Sequence, residues 1–208
     1  MMVQINKMSV YWGKREESAT ECARRLSDYL SQLSAQHPQL GSWYQRGSTR
    51  KSASRGASIN SYTFEDLVAF VSKGAHKKDI GREVMKELGY HFGGWNKLPN
   101  ESAMGLSITC GLFANTSTNV VIMNLPMNWD SVGLTDARLK NLLVLTAEIW
   151  DADWGGAFNS HNEAWLSRPN NDPYLDKMLW LRHGNPFTVK GNDLTQETTD
   201  KGTVFVRR

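Results

Sequence analysis

The sequence predicts an α+β fold, a single domain over residues 1–208 in which helices flank a largely antiparallel sheet. Two patterns carry the prediction. After Ser18, apolar residues recur at the spacing of a helix. Over residues 104–112, apolar residues alternate strictly with small or polar ones. No internal repeat or low-complexity tract divides the chain. A chain of 208 residues buries enough surface to fold without disulfides or a metal.

The first half of the chain predicts a strand and three helices. Residues 8–12 form a short apolar run that predicts a strand. Ser18 and Glu21 have the spacing of a capping box, so a helix begins there and is expected to stop at His37-Pro38. Residues 41–61 form a polar, basic loop. Two further helices are predicted after it, one from a Thr63 cap to Lys73 and a weaker one over residues 79–88.

The second half is richer in strands. Residues 104–112 alternate and residues 120–123 form a continuous apolar run, which predicts a more deeply buried strand. The two are expected to pair as an antiparallel hairpin. Residues 90–95 add a neighbouring strand, in which a glycine pair indicates a bulge or a close approach. Beyond them the sequence predicts a long helix from Thr135 to Trp150, and then two strands: residues 177–181 and 203–207.

Composition favours a binding protein over an enzyme. The chain has eight Trp, and a Trp ring with its N–H suits packed cores and recognition surfaces alike. No Ser, Cys or His lies in a sequence motif for a nucleophile with its base. We therefore expect no catalytic residue, no cofactor and no metal.

The sequence also predicts a cytoplasmic protein. No stretch has the features of a signal peptide or of a membrane span, so no membrane partner is expected. Cys22 and Cys110 are the only cysteines, and both fall on apolar faces. We expect them to be buried free thiols.

Charge is distributed unevenly along the chain. The net charge is +3, made of +5 over residues 1–104 and −2 over residues 105–208. Residues 130–176 carry eight acidic residues against three basic ones. Opposite potentials on one small protein favour oriented encounter with a charged partner.

The acidic stretch contains a candidate site at the end of the long helix. Its members are Glu148, Asp151, Asp153, His161 and Glu163. Carboxylates can bind a divalent cation, but the spacing matches neither a Ca²⁺ loop nor a zinc deaminase motif. A solvated acidic loop is therefore favoured over a metal site. Acids there lie at the unfavourable end of the helix dipole, which points to a function without specifying it.

A basic loop is the second candidate. Beside Trp43 and Tyr44 the sequence places four basic residues: Arg46, Arg50, Lys51 and Arg55. Basic residues interleaved with aromatic ones are typical of single-stranded nucleic-acid binding. The chain has no nucleic-acid motif and no strongly basic balance, so a surface loop is favoured. A nucleic-acid-binding module that uses loop 46–55 is kept as the alternative function.

Several segments of the chain resemble, in the same order, segments of one known protein family. They include Val10-Tyr11-Trp12-Gly13-Lys14-Arg15-Glu16-Glu17-Ser18, Trp43-Tyr44 with Arg50-Lys51, Asp79-Ile80-Gly81-Arg82-Glu83, Val120-Val121-Ile122-Met123-Asn124-Leu125-Pro126 and Trp150-Asp151-Ala152-Asp153-Trp154-Gly155. Over roughly residues 8–155 the chain resembles the immunity protein 52 family of bacterial polymorphic-toxin systems. The resemblance implies an antidote that binds a cognate toxin, often a restriction-endonuclease-fold nuclease delivered by type VI or related secretion. It implies no catalysis; no nucleic-acid partner is expected, and a homodimer is left open.

Electrostatics indicates where such a toxin would bind. A nuclease presents a basic cleft to phosphate, so an inhibitor gains speed and affinity by offering acids against it. We predict that the contact includes Asp151, Asp153, Trp154 and Glu163, which combine charge with an aromatic anchor. The alternative is that Trp150 and Trp154 pack the helix end into the core while the acids are solvated. The net charge of +3 also does not suit a simple nucleic-acid mimic, so the alternative to an acidic plug is inhibition by blocking toxin assembly or by reshaping the toxin's site.

Overall fold

The structure, a computed structural model, describes residues 6–47, 55–99, 102–115, 118–126, 129, 133–159, 172–191 and 193–208. Within these residues the helices are α1 (Ala19–Gln36), α2 (Phe64–Lys73) and α3 (Asp136–Ile149). The strands are β1 (Lys7–Trp12), β2 (Tyr44–Gln45), β3 (Tyr90–Trp95), β4 (Gly105–Cys110), β5 (Asn119–Asn124), β6 (Trp154–Phe158), β7 (Met178–Arg182), β8 (Leu194–Thr198) and β9 (Gly202–Arg207). None of the described helices is both long and apolar enough to cross a bilayer.

All of these strands form one antiparallel sheet in the order β2-β3-β4-β5-β1-β6-β7-β9-β8. The predicted hairpin of β4 and β5 is present, with Ile108 opposite Val121. The first strand of the chain lies in the middle of the sheet, where Val10 is opposite Val121 of β5 and Gly155 of β6. The predicted α+β class with a largely antiparallel sheet is confirmed.

The helices cover one face of the sheet. α1 packs on both other helices, α2 packs on β3, and α3 packs on β1, β6 and β7. The capping box of Ser18 and Glu21 begins α1 as predicted, and Thr63 and Asp66 form a second box at the start of α2. Alternate side chains of the inner strands point into this helix-covered layer, including Val10, Ile108 and Val121.

Tryptophan contributes mainly to the interior. Six of the seven described tryptophans are buried: Trp12, Trp43, Trp129, Trp150, Trp154 and Trp180. Trp95 is half-buried, and Trp165 lies outside the described residues. The abundance of Trp, which the sequence leaves open between core and recognition surface, is thus explained by packing.

The other face of the sheet has a smaller apolar cluster around β6 and β7. Trp154 stacks on Tyr11 with ring centroids 4.3 Å apart, and Leu179 and Leu181 join them. Phe187, from the segment after β7, packs against this cluster. Because β6 is covered on both faces, all five of its residues are buried.

Three sequence predictions need correction. The helix predicted over residues 79–88 is absent apart from a single 3₁₀ turn, Lys86–Leu88. The loop predicted over residues 41–61 contains β2 and another 3₁₀ turn, Ile59–Ser61. β5 is not buried on both faces, because Val120 and Ile122 alternate with fully buried neighbours and are only half-buried.

In place of the predicted helix, residues 76–85 form a hairpin. The amide of Lys78 donates to the carbonyl of Glu83 at 2.9 Å, and the amide of Met85 donates to the carbonyl of His76 at 2.8 Å. Gly81 and Arg82 at its tip have φ of 79° and 56°, which reverse the chain and are incompatible with a right-handed helix.

Candidate functional site

The predicted site forms where α3 ends and the chain turns into β6. Trp150 caps the helix, and Asp151 takes a left-handed conformation with φ of 52°. The amide of Ala152 donates to the carbonyl of Ala147 at 2.8 Å, which closes the turn. Asp153 then leads into the first residue of β6. The sequence thus places two carboxylates beside the carbonyl end of a helix that has no basic residue in its last turn.

Four cations from other parts of the chain bind the carbonyl groups at this helix end. Arg15 donates to Trp150 at 2.7 Å, Arg25 to Ile149 at 2.9 Å, Lys201 to Glu148 at 3.0 Å and Arg182 to Ala152 at 2.8 Å. The last carbonyls of a helix lack partners within it, and positive charge is favourable at the negative end of its dipole. Neighbouring elements therefore supply the compensation that α3 lacks.

Asp151 is the centre of the ion pairs. Its carboxylate lies 2.7 Å from Arg182, 3.3 Å from Arg15 and 3.7 Å from Lys201. Burial by itself raises the pKa of this carboxyl, but the hydrogen bond and charge of Arg182, together with Lys201 and Arg15, lower the pKa below its ordinary value. Asp151 is therefore an ion-paired carboxylate that is also partly exposed to solvent.

Glu17 is a second carboxylate of the same network, and no sequence pattern indicated it. Its side chain is only 6% exposed and accepts from Arg25 at 2.8 Å, while Nε of Arg15 lies 3.1 Å from its other oxygen. We call Arg15, Glu17, Arg25, Asp151, Asp153, Arg182 and Lys201 the helix-end cluster. It joins the segment between β1 and α1, α1 itself, the turn after α3, β7 and the turn between β8 and β9 around one point.

Asp153 and Trp154 have different environments despite being adjacent. The side chain of Asp153 is 51% exposed, and one oxygen accepts from the amide of Gly13 at 2.8 Å. Trp154 is 6% exposed and stacked on Tyr11. Asp153 therefore offers charge to solvent, whereas Trp154 supports the site from beneath. Glu163, with His161, lies outside the described residues.

A charged groove of about 430 Å³ borders the helix-end cluster. It lies between α1 and the end of α3 and is lined by Glu17, Glu21, Arg24, Arg25, Asp28, Gln32, Glu148, Ile149 and Lys201. Apart from the adjacent Arg24 and Arg25, the residues from α1 follow each other at intervals of three and four. That spacing marks one polar face of a helix, so this wall could have been found from the sequence.

The basic loop does not offer the aromatic platform that nucleic-acid binding would use. Trp43 is fully buried and donates from its ring nitrogen to the carbonyl of Leu40 at 2.8 Å. The ring of Tyr44 is covered by Lys97, whose Nζ lies 3.9 Å from the ring centroid. Arg46 is exposed, and its Nε donates to the carbonyl of Gly94 at 3.3 Å. Arg55 is exposed; Arg50 and Lys51 lie outside the described residues.

Over the described parts of the chain, no three His, Cys, Asp or Glu side chains are grouped so that they could hold a metal ion. Two of the described histidines have polar partners close by. His37 accepts from the amide of Gln39 at 3.2 Å, and His91 lies 3.0 Å from the hydroxyl of Thr109. Burial, with the nearby His76 and Arg46, lowers the pKa of His91. The helix-end cluster is a network of ion pairs at the surface.

Known proteins share a family pattern and a fold with this chain. Residues 6–178 match a family model described as Immunity protein 52. The fold is similar to that of the Pseudomonas aeruginosa T6SS protein PA0821, with a TM-score of 0.51 and 10% identity over 97% of this chain and 68% of that chain. At that identity the structural likeness establishes the fold alone. No curated protein matches the sequence.

Proposed function

Because the chain belongs to the immunity protein 52 family, we propose that it is an antidote that binds a cognate secreted toxin and neutralises it through protein–protein contact. The family match over residues 6–178 carries the proposal. The protein acts by binding, so no catalytic step is assigned to it. Inhibition should then saturate at a fixed molar ratio of antidote to toxin.

We propose a nuclease effector with a restriction-endonuclease fold as the toxin, delivered by a type VI system. The family resemblance supports the nuclease, and the T6SS name of the structural neighbour supports the secretion route. Such a toxin attacks nucleic acid inside the cell, so the antidote would act in the cytoplasm. Homodimerisation of the free antidote stays open to measurement.

The helix-end cluster and the charged groove beside it form the proposed toxin contact. Asp153 and Asp28 are accessible carboxylates there, which suits a partner whose cleft must be basic to hold phosphate. Asp151 fixes the helix end through its ion pairs, and Trp154 supports it by packing. Glu163 stays a predicted contact.

Co-expression with the product of the adjacent gene tests the function directly. We expect a complex that survives purification and restores growth in cells that make the toxin. If the two proteins neither co-purify nor rescue growth, the antidote function is wrong.

A double variant tests the contact surface. Asp28→Asn with Asp153→Asn removes two accessible charges, while the amide oxygen introduced by the second substitution can still accept from the N–H of Gly13. We expect a slower association with the toxin, by about tenfold at low salt, and an unchanged melting temperature. The matched control is Glu65→Gln with Asp193→Asn, two exposed acids on other elements. Equal association rates for both double variants would place the contact elsewhere.

A further inference from the structure

The 76–85 hairpin carries exposed apolar side chains at its tip. Among the described residues only three large hydrophobic side chains are exposed: Phe64, Ile80 and Val84. Two of them lie on this hairpin, and Ile80 is 91% exposed. Turn residues at a hairpin tip are ordinarily Gly, Asn, Asp or Ser, so an isoleucine there is unusual.

The hairpin is held in shape before any partner binds. Beyond its two backbone hydrogen bonds, Lys78 and Glu83 form an ion pair of 2.7 Å across it. Its base is joined to the sheet, because Ala75 bridges to Tyr90 and the amide of His91 donates to Gly74 at 2.9 Å. A preformed element loses less conformational entropy on binding than a mobile loop does.

The flanks of the tip carry positive charge that is not paired within the described residues. No described carboxylate lies within 4 Å of the side-chain nitrogens of Lys77, Arg82 or Lys86, and all three side chains are exposed. Two acids, Asp79 and Glu87, are exposed there as well, so the three cations leave a net charge of +1 once the paired Lys78 and Glu83 are set aside. An apolar tip surrounded by a small net positive charge is complementary to an apolar pocket with carboxylates on its rim.

We propose that the hairpin is a second toxin-contact element, in which Ile80 inserts into an acid-rimmed apolar pocket of the toxin. The inference rests on the antidote function proposed above. It assigns the toxin a contact on the β3 side of the sheet, in addition to the contact at the helix-end cluster. Ile80 acts as the anchor, and Val84 and the basic side chains surround it.

A second copy of the chain is a poorer occupant. A partly apolar cleft of about 230 Å³ lies between α3 and the β8–β9 hairpin, lined in part by Met178, Val204 and Val206. Its acids, Asp136 and Glu197, are already paired with Lys177 and Lys140. If the tip of one copy docked in this cleft of another, the two copies would also be arranged head-to-tail. Such an arrangement does not close into a two-fold dimer.

Variants at the tip test the inference, with the wild-type complex measured first. Ile80→Ala should weaken toxin affinity by at least about tenfold, the size expected of an anchor residue, and Ile80→Asp by more. Neither should change the melting temperature, because the side chain packs on little of its own chain. The control is Phe64→Ala, a truncation of another exposed hydrophobic residue, which should leave affinity within about threefold.

The outcomes separate the two proposals. A wild-type complex with unchanged affinity for Ile80→Ala overturns this inference and leaves the antidote function intact. Failure of the wild type to bind the toxin removes both. Light scattering of the free antidote adds a third outcome: a dimer that Ile80→Asp dissociates, with toxin affinity unchanged, would assign the tip to a second copy and overturn the inference.

Discussion

Asp151 shows how one side chain can serve both local geometry and long-range packing. Its left-handed backbone ends α3, and its carboxylate joins Arg15, Arg182 and Lys201 from three separate parts of the chain. Aspartate tolerates the left-handed region better than most residues. The sequence places acids at the wrong end of a helix dipole; the structure explains them, since cations remote in sequence surround them. No local pattern could reveal those cations.

The lowered pKa of Asp151 predicts a loss of stability in acid. Its unfolded pKa is about 3.9, and the folded pKa is lower, so both states are ionised above about pH 5. As pH falls through the unfolded pKa, the unfolded chain takes up a proton first, and the folded state loses that advantage. Asp151→Asn keeps the left-handed geometry and removes the charge. Allowing for solvent screening, we expect it to cost about 1 kcal/mol at pH 7.

Urea unfolding of both proteins between pH 3 and pH 7 measures this effect. The gap in unfolding free energy between wild type and Asp151→Asn should be constant from about pH 5 to 7 and should shrink below about pH 4. A gap that stays the same down to pH 3 would show that the ion pairs contribute nothing to folding.

Elements were predictable where local signals and tertiary packing agree. α1 and α2 begin at capping boxes that are visible as Ser18 with Glu21 and Thr63 with Asp66. β4 shows the alternation of a strand with one buried face. The helix predicted over 79–88 had apolar residues four apart, but Gly81 reverses the chain there and leaves them in solvent.

The missed strands lack a pattern that sequence can show. β6 contains Gly155-Gly156, and both its faces are covered, so neither alternation nor β-branched residues mark it. Gly155 is required because a Cβ there would lie 2.6 Å from Cγ1 of Val10 and 3.2 Å from Leu143 of α3. β8 is polar and exposed, and only its pairing with β9 defines it.

Two glycines on adjacent strands should respond differently to substitution. A Cβ on Gly93 of β3 would lie 2.2 Å from the carbonyl oxygen of Leu106, which is backbone and must move. A Cβ on Gly105 of β4 would meet the ends of the Arg46 and Asn124 side chains at 3.0 and 3.4 Å, and these can turn away. We expect Gly93→Ala to cost about 2 kcal/mol and Gly105→Ala less than about 0.5 kcal/mol. Equal costs in urea unfolding would contradict the close approach seen at Gly93.

At the scale of the molecule, charged surface and apolar core are segregated. The helix layer and the sheet enclose most of the apolar side chains, while charge collects at the helix end and on the 76–85 hairpin. The family resemblance predicted the function class, but it offered no interface residues. Candidate interface residues are identified by exposure and ion pairing. Both depend on the folded chain, in which α1, the end of α3, β7 and the segments that hold Arg15 and Lys201 lie together.

Cys22 and Cys110 report on whether this layered structure opens as a unit. One is on α1 and the other on β4, both are fully buried free thiols as predicted, and burial with the neighbouring Cys22 thiol raises the pKa of Cys110. A reagent can reach them only when α1 leaves the sheet, which breaks its packing on both other helices. For a typical stability of at least about 5 kcal/mol, native labelling should be at least roughly a thousandfold slower than labelling of the unfolded chain. The rate should rise with urea in parallel with global unfolding, measured by tryptophan fluorescence. Rapid labelling at urea concentrations where fluorescence is still native would show instead that α1 detaches alone.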